Sequence, residues 1–145
     1  MSAVLIQAGI LKTHLEANVP ELSGINVVID EQKDLGSEIK KAVAKAKGAA
    51  IIISPESGKN TDLESDELNM MTSIVIAVIT KPVKRGKDEV PALDVKEQVM
   101  KAAHGLPLLG TTHCSRCAKV SGWQQVNHPA YLIYKIDLTT PTTIT

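Results

Sequence analysis

The stretch Met70-Met71-Thr72-Ser73-Ile74-Val75-Ile76-Ala77-Val78-Ile79-Thr80 decides the fold, because it predicts a long β-strand that is apolar on both faces. Its apolar side chains divide between the two alternations: Ile74, Ile76 and Val78 on one face, and Val75, Ala77 and Ile79 on the other. Such a strand has to be covered on both sides. Helices could cover one face, and a neighbouring subunit could cover the other.

Upstream of this strand, the sequence predicts two helices and two shorter strands. A helix over 3–17 buries Val4, Ala8, Leu11 and Leu15, with Ile6 and Ile10 beside that stripe and Gln7, Lys12, His14 and Glu16 facing away. A strand follows at 25–29, and a basic helix starts at Asp34 or Ser37 and ends at Gly48. A second strand occupies 49–54. The polar stretch 55–69 is predicted as a loop, which is functional, mobile or simply the solvated connection of a hairpin.

Downstream, a basic turn at 81–87 leads to a helix over 91–104. Two alternating segments, 119–126 and 131–138, then form a hairpin signature. The threonine-rich residues 139–145 are predicted as a flexible or partner-ordered tail. The sequence thus predicts one domain over 1–138, followed by this tail.

Composition excludes several classes of function. The 145 residues carry sixteen basic and sixteen acidic side chains, so nothing attracts the chain as a whole to nucleic acid or acidic membranes. Only 2% of the residues are aromatic, which removes the stacking platforms of single-strand binders. No apolar run reaches the ~18 residues of a membrane helix. The N-terminus lacks a positive n-region and a cleavage site, so we expect cytosolic synthesis and reduced cysteines.

The sharpest local motif is His113-Cys114-Ser115-Arg116-Cys117. A Cys-x-x-Cys pair is half of a tetrahedral zinc site, so Cys114, Cys117 and His113 are candidate metal ligands. A thiol-redox role is the alternative, although such a pair normally starts a helix and strand-like residues follow here. The pair is also consistent with two ordinary loop residues.

Charged clusters give weaker indications, and no catalytic residue is predicted. The acidic residues Asp62, Glu64, Asp66 and Glu67 could hold a divalent ion, but their spacing lacks the required glycine of an EF-hand loop, which favours a solvated loop. A basic cluster contains Lys81, Lys84, Arg85 and Lys87, with Asp88 and Glu89 directly after it. The mixture of charges favours a protein partner over DNA. Neither a nucleophile elbow nor a Gly-Lys-Ser/Thr phosphate loop is present.

The order of elements resembles the tail terminator proteins of long-tailed bacteriophages and related minor tail or neck proteins. The pieces that carry the resemblance are the helix 3–17, the strand 70–80, the helix 91–104 and the closing strands 119–138. The resemblance implies an α+β fold, a mostly antiparallel mixed sheet with about three helices packed on it. It implies no catalytic residues and no cofactor.

The resemblance also implies a structural role in the virion, after assembly in the host cytoplasm. Such proteins form a six-membered ring that caps the tail tube, stops its polymerisation and offers the surface that joins the head. The implied partners are other copies of the chain, the tail tube protein and a head-completion or neck protein, while DNA passes through the ring without specific binding. A closed ring repeats one heterologous interface, for which we expect contributions from Met70, Met71, Lys81, Lys84, Arg85, Trp123 and Tyr131.

Three alternatives remain open from the sequence. A head-completion, neck or tail tube protein is the nearest. The second is a small α/β enzyme or thiol-redox protein that uses Cys114 and Cys117. The third is a small cytosolic binding or adaptor module, with zinc on these cysteines or without it. The four residues Met70, Met71, Trp123 and Tyr131 could also be plain core residues.

Overall fold

The computed structural model describes residues 2–30, 49–80, 92–107, 117–129 and 131–144. Helices and strands are numbered within these ranges. They are α1 (Ala3–Asn18), a short 3-10 helix (Pro20–Leu22), β1 (Asn26–Ile29), β2 (Ala49–Asn60), β3 (Leu68–Thr80), α2 (Ala92–Ala103), β4 (Lys119–Val126) and β5 (Leu132–Ile144).

All five strands belong to one mixed sheet in the order β1-β2-β3-β5-β4. The β1–β2 pair is parallel, and the other three neighbouring pairs are antiparallel. The α+β class is therefore confirmed. Two α-helices lie within the described part of the chain, whereas about three were expected; the helix predicted to end at Gly48 lies outside the described residues.

Strand β3 is the middle of the sheet, and its two apolar faces are both buried. Ile74, Ile76 and Val78 are fully buried in the main core, on the same side as α1 and α2. On the opposite face, Ile79 belongs to a smaller buried cluster with Ala50 and Ile52. Full burial of one such side chain contributes about 1.5–3 kcal/mol. The prediction of a strand covered on both sides is confirmed.

Helix α1 is the first element of the main core, and a hydrogen bond caps it at each end. The Ser2 side chain accepts a hydrogen bond from the Leu5 backbone N–H, and Val19 N–H donates to the Leu15 carbonyl at the last turn. Ala8, Leu11 and Leu15 are buried, as expected. Gln7 is buried as well, with only 1% of its surface exposed, so its predicted place on the solvent side is wrong.

The predicted loop at 55–69 is mostly strand. β2 continues to Asn60 and β3 begins at Leu68, so only residues 61–67 connect the two strands. The register shifts between Pro55 and Ser57, where one extra residue forms a bulge. Polar residues can remain in a strand when their backbones pair and their side chains reach water. The hairpin alternative is the correct one, with a longer hairpin than expected.

The predicted flexible tail is also strand as far as Ile144. β5 runs without a break through Leu138, and residues 139–144 pair with residues 68–73 of β3. The Thr140 and Thr142 side chains are buried, and Pro141 is tolerated because β4 no longer pairs with β5 there. Threonine has a high strand propensity, which the tail prediction underrated.

None of the helices in the described ranges is both long and apolar enough to cross a membrane.

Candidate protein interface

Helix α1 is apolar on the side that faces away from the sheet. At 100° per residue, positions 6, 10, 13 and 17 lie opposite the buried stripe, and they hold Ile, Ile, Thr and Ala. Ile6 is 47% exposed and Ile10 is 38% exposed. A surface helix normally carries charged residues on this side. An exposed apolar helix face of this kind is a candidate site of protein contact. We call this surface the outer face of α1.

The outer face of α1 forms a shallow open groove. Its lining residues are Leu5, Ile6, Gly9, Ile10, Thr13, His14, Ala17 and Asn18. A side chain added at Gly9 would meet nothing within 4 Å, so the groove is open above that residue. None of these lining residues, all within the described part of the chain, carries a carboxylate.

A buried polar network fixes α1 against the far end of β5. The Gln7 Nε2 donates to the Pro141 carbonyl at 2.9 Å, and the Thr142 Oγ1 donates to Gln7 Oε1 at 2.6 Å. The Thr142 and Thr72 hydroxyls lie 2.8 Å apart, which joins β3 to the network. Because buried polar groups are costly unless paired, this network sets one position for α1 and therefore for its outer face.

The β2–β3 hairpin ends in an acidic loop with one exposed leucine. Residues 61–67 are Thr-Asp-Leu-Glu-Ser-Asp-Glu, and Leu63 is 86% exposed. We call residues 61–67 the hairpin tip. A leucine exposed to this extent makes almost no contact within its own chain, so it is available to a partner.

Local hydrogen bonds shape the hairpin tip. The Asp62 N–H donates to Asn60 Oδ1 at 2.9 Å, and the Glu64 N–H donates to Asp62 Oδ1 at 3.2 Å. The Thr61 N–H donates to the Asn69 carbonyl at 3.0 Å and closes the base of the loop. These bonds define the backbone on both sides of Leu63. They lower the entropy cost of presenting that side chain to a partner.

Trp123 lies on the edge strand β4 and packs against helix α2. The Lys96 Nζ lies 3.1 Å from the Trp123 ring centroid and 5.7 Å from that of Tyr134. The two rings meet edge to face at 6.0 Å. Lys96 is only 3% exposed, whereas Trp123 is 47% exposed. The indole therefore covers a buried cation with one part and offers the rest to solvent.

The other predicted interface residues lie in three separate places. Met70 is half-buried beside Gly58, on the helix side of the sheet, and Met71 is exposed on the opposite face. Tyr131 is half-buried with its ring 5.3 Å from that of His128. The sheet does not bring these residues and Trp123 into one patch. Lys81, Lys84 and Arg85 lie outside the described residues.

Of the three predicted metal ligands, only Cys117 lies within the described residues. Cys117 is buried, with its surface 6% exposed, while His113 and Cys114 lie outside the described residues. Within the ranges that the structure describes, no three His, Cys, Asp or Glu side chains converge to hold a metal ion. This holds for the acidic residues of the hairpin tip, whose role as a cation site is therefore not supported.

No family model matches this chain, and a search of the curated proteins found no relative.

Sequence reasoning missed two surfaces with exposed apolar side chains, the outer face of α1 and the hairpin tip. The sequence pattern predicts Ile6 and Ile10 beside the buried stripe, although uncharged residues at 6, 10, 13 and 17 indicate an apolar outer face. Leu63 was passed over, although it is the one aliphatic residue between Thr61 and Glu67. Leu63 stands out only when the loop is known to be as short as 61–67, and the structure is what shows that length.

Proposed function

We propose that this protein is a structural virion protein of a long-tailed bacteriophage, a tail terminator. In this proposal, six copies form a ring on the completed tail tube. The ring stops tube polymerisation and presents the surface that a head-completion or neck protein joins. The protein is made in the host cytoplasm and ends up in the tail or neck of the virion.

The outer face of α1 is the observation that carries the proposal. Ile6 and Ile10 are exposed on a helix whose other side is already buried. One apolar side of α1 therefore packs on the sheet, and the other apolar side is left uncovered. A face of this kind costs solubility unless a partner covers it. An assembly subunit needs such a face, because each copy in a closed ring contacts its neighbours through two different surfaces.

The α+β fold supports the same class of protein. The resemblance rests on the order of the elements. The proposal includes the finer fold expected for the class, which is about three helices on a mostly antiparallel sheet. The third helix would lie in the connection between the parallel strands β1 and β2. A parallel pair requires a crossover of a dozen or more residues, which 30–48 can supply.

Charge is consistent with a ring through which DNA passes. The chain carries equal numbers of acidic and basic residues. A neutral subunit gives no net electrostatic attraction that would hold the phosphate backbone in the lumen. A tail terminator has to let DNA pass through its ring without binding that DNA specifically.

Native mass spectrometry over a concentration series tests the proposal. Six subunits of 15.5 kDa form a closed ring of about 93 kDa. A ring of that mass without bound metal, together with binding to purified tail tubes, is the expected result. Failure to bind tail tubes in either the ring or the monomer state would refute the terminator assignment. A monomer with one zinc ion would favour a metal-stapled module.

The same assay separates the nearest structural alternatives. A tail tube subunit would extend existing tubes, whereas a terminator would end their growth. A head-completion or neck protein would bind the finished terminator surface but not bare tubes. Substituting Trp123 or Tyr131 by alanine then tests the two interface residues, since assembly that stays intact in a folded variant would remove them from the interface.

A further inference from the structure

We propose that two histidines make the edge strand β4 sensitive to pH, because hydrogen bonds to His104 and His128 stabilise its two ends only while both rings are neutral. β4 lies at one end of the sheet, and among the described strands it pairs only with β5. The Val120 N–H donates to His104 Nδ1 at 3.0 Å, near the start of β4. The Tyr131 N–H donates to His128 Nδ1 at 3.2 Å, in the turn that follows β4. We call these two bonds the histidine contacts. The inference does not depend on the proposed function.

Both histidine contacts require a neutral imidazole ring. A backbone N–H can donate only to a ring nitrogen that carries no proton, so each ring has to carry its single proton on Nε2. An imidazolium carries a proton on both nitrogens and accepts no hydrogen bond. Histidine is the side chain that ordinarily changes its charge between about pH 5 and 8. The histidine contacts are therefore present above this range and lost below it.

The surroundings of His104 offer its ring a different partner in each charge state. His104 directly follows the last residue of α2, where the carbonyl groups at the helix end attract a cation. The neutral ring accepts from β4, whereas the protonated ring can only donate, and the unpaired carbonyls at the end of α2 are acceptors beside it. Protonation therefore favours movement of the ring away from the Val120 N–H.

No carboxylate replaces the lost contact at His104. The charged residues on the elements around it are Glu97 and Lys101 on α2, Lys119 on β4, Asp137 on β5 and Glu21 in the 3-10 helix. Asp137 alternates along β5 with the buried Ile136 and Leu138, so it points to the face of the sheet opposite α2. Among the described residues, no ion pair joins a carboxylate to His104, and its side chain is exposed to solvent protons.

The turn around His128 carries no other charged residue. Residues 127–131 are Asn-His-Pro-Ala-Tyr, and the first charged residue on β5 is Lys135, which pairs with Gln124. The His128 ring is exposed, with its centroid 5.3 Å from that of Tyr131. Protonation of this ring removes the acceptor of the Tyr131 N–H. The turn then loses a hydrogen bond at the point where the chain enters β5.

Loss of both histidine contacts loosens β4 from its ends. The β4–β5 register shifts between Val120 and Gly122, so the ladder is already interrupted beside the first contact. Residues 122–126 keep their pairing with β5. At mildly acidic pH, β4 therefore remains in the sheet through its middle, which carries Trp123, while the Val120 and Tyr131 N–H groups become free donors.

NMR spectroscopy of the whole chain between pH 8 and 5.5 tests the proposal, in a range above the ordinary titration of carboxylates. Nitrogen-15 spectra of the imidazole groups at pH 8 are expected to show both rings protonated on Nε2. The amide resonances of Val120 and Tyr131 are expected to shift with the same midpoints as the rings of His104 and His128. Relative to the intrinsic rate at each pH, exchange of these two amides is expected to become about threefold or more faster at pH 5.5.

His104→Asn and His128→Asn are the test variants, since the asparagine Oδ1 stands near the position of Nδ1 and does not titrate in this range. Each substitution is expected to abolish the pH dependence of its own amide and to leave that of the other amide unchanged. His14→Asn is the matched control, because His14 Nδ1 contacts Asn18 on α1. The control is expected to leave both titrations as they are in the wild type.

Three results would each overturn the proposal. The first is equal protection of the Val120 and Tyr131 amides of the wild-type chain at pH 8 and 5.5. The second is a ring of His104 or His128 that is protonated on Nδ1 at pH 8. The third is a pH dependence that persists at both amides in a folded variant with both histidines replaced by asparagine.

Discussion

At the residue scale, Gln7 shows how a single buried amide can position a whole helix. Its side chain donates to the Pro141 carbonyl and accepts from Thr142, so both ends of the amide are used. A leucine would fill a similar volume in the core but would take one partner from each group. The Thr142 hydroxyl would keep only its contact with Thr72, and the Pro141 carbonyl only the longer hydrogen bond from Thr140 at 3.4 Å. A buried polar group that loses a partner costs more than the net value of the hydrogen bond itself.

We expect Gln7→Leu to lower the free energy of unfolding by about 1–3 kcal/mol because two buried polar groups each lose a partner. Urea denaturation followed by circular dichroism measures the change. Gln125→Leu is the matched control, since Gln125 is exposed on β4. A Gln7→Leu variant as stable as the wild type would show that the network adds no net stability.

Trp123 offers a second test at this scale. Replacing it by leucine removes the ring over the Lys96 ammonium group, and we expect a loss of about 0.5–2 kcal/mol in the free energy of unfolding. A double-mutant cycle with Lys96→Met isolates the contribution of the cation–π contact. A coupling energy near zero would mean that the indole serves only to cover the core edge.

At the element scale, the outer parts of β2, β3 and β5 form a polar three-stranded extension of the sheet. Residues 55–60 and 139–144 are mostly serine, threonine, glycine, proline and lysine, and such residues read as loop in a sequence. Both segments pair with residues 68–73 of β3, and this pairing satisfies their backbone and overrides the weak local signal. The hydrophobic halves of the same strands were predicted correctly because their apolar pattern alone identifies them.

Ending the chain after Leu138 tests the strand assignment of residues 139–144. The truncation removes the buried Thr140 and Thr142 and both partners of Gln7. We expect the free energy of unfolding to fall by at least about 2 kcal/mol, measured by urea denaturation. A chain that ends after Ile144 is the control. Equal stability of the two chains would restore the flexible-tail interpretation.

The sequence predicted the core elements and missed the surfaces for a physical reason. Burial of aliphatic side chains repeats with the period of the element, so Leu11, Leu15, Ile74 and Ile76 could be assigned from spacing alone. Gln7 could not, because its partners lie more than 130 residues away in the chain. Leu63 could not, since its exposure depends on where a hairpin ends, which strand pairing decides.

At the scale of the whole molecule, apolar surface is distributed unevenly. One side of the sheet holds the main core under two helices, and the outer face of α1 adds a second apolar layer beyond it. The largest exposures of single apolar side chains in the described residues are at Leu63, Leu93 and Leu68. Two of these three belong to the outer end of the β2–β3 hairpin, far along β3 from Thr80.

The position of β5 in the sheet has a consequence for synthesis on the ribosome. β5 lies between β3 and β4, although it is the last of the five strands to be translated. Until it emerges, β3 lacks one neighbour and β4 lacks the partner that the sheet gives it. A nascent chain in which β3 has emerged but β5 has not therefore presents an aliphatic strand edge to solvent. Long-range pairing of this kind folds slowly, so a holdase chaperone that shields the edge would raise the yield of native protein.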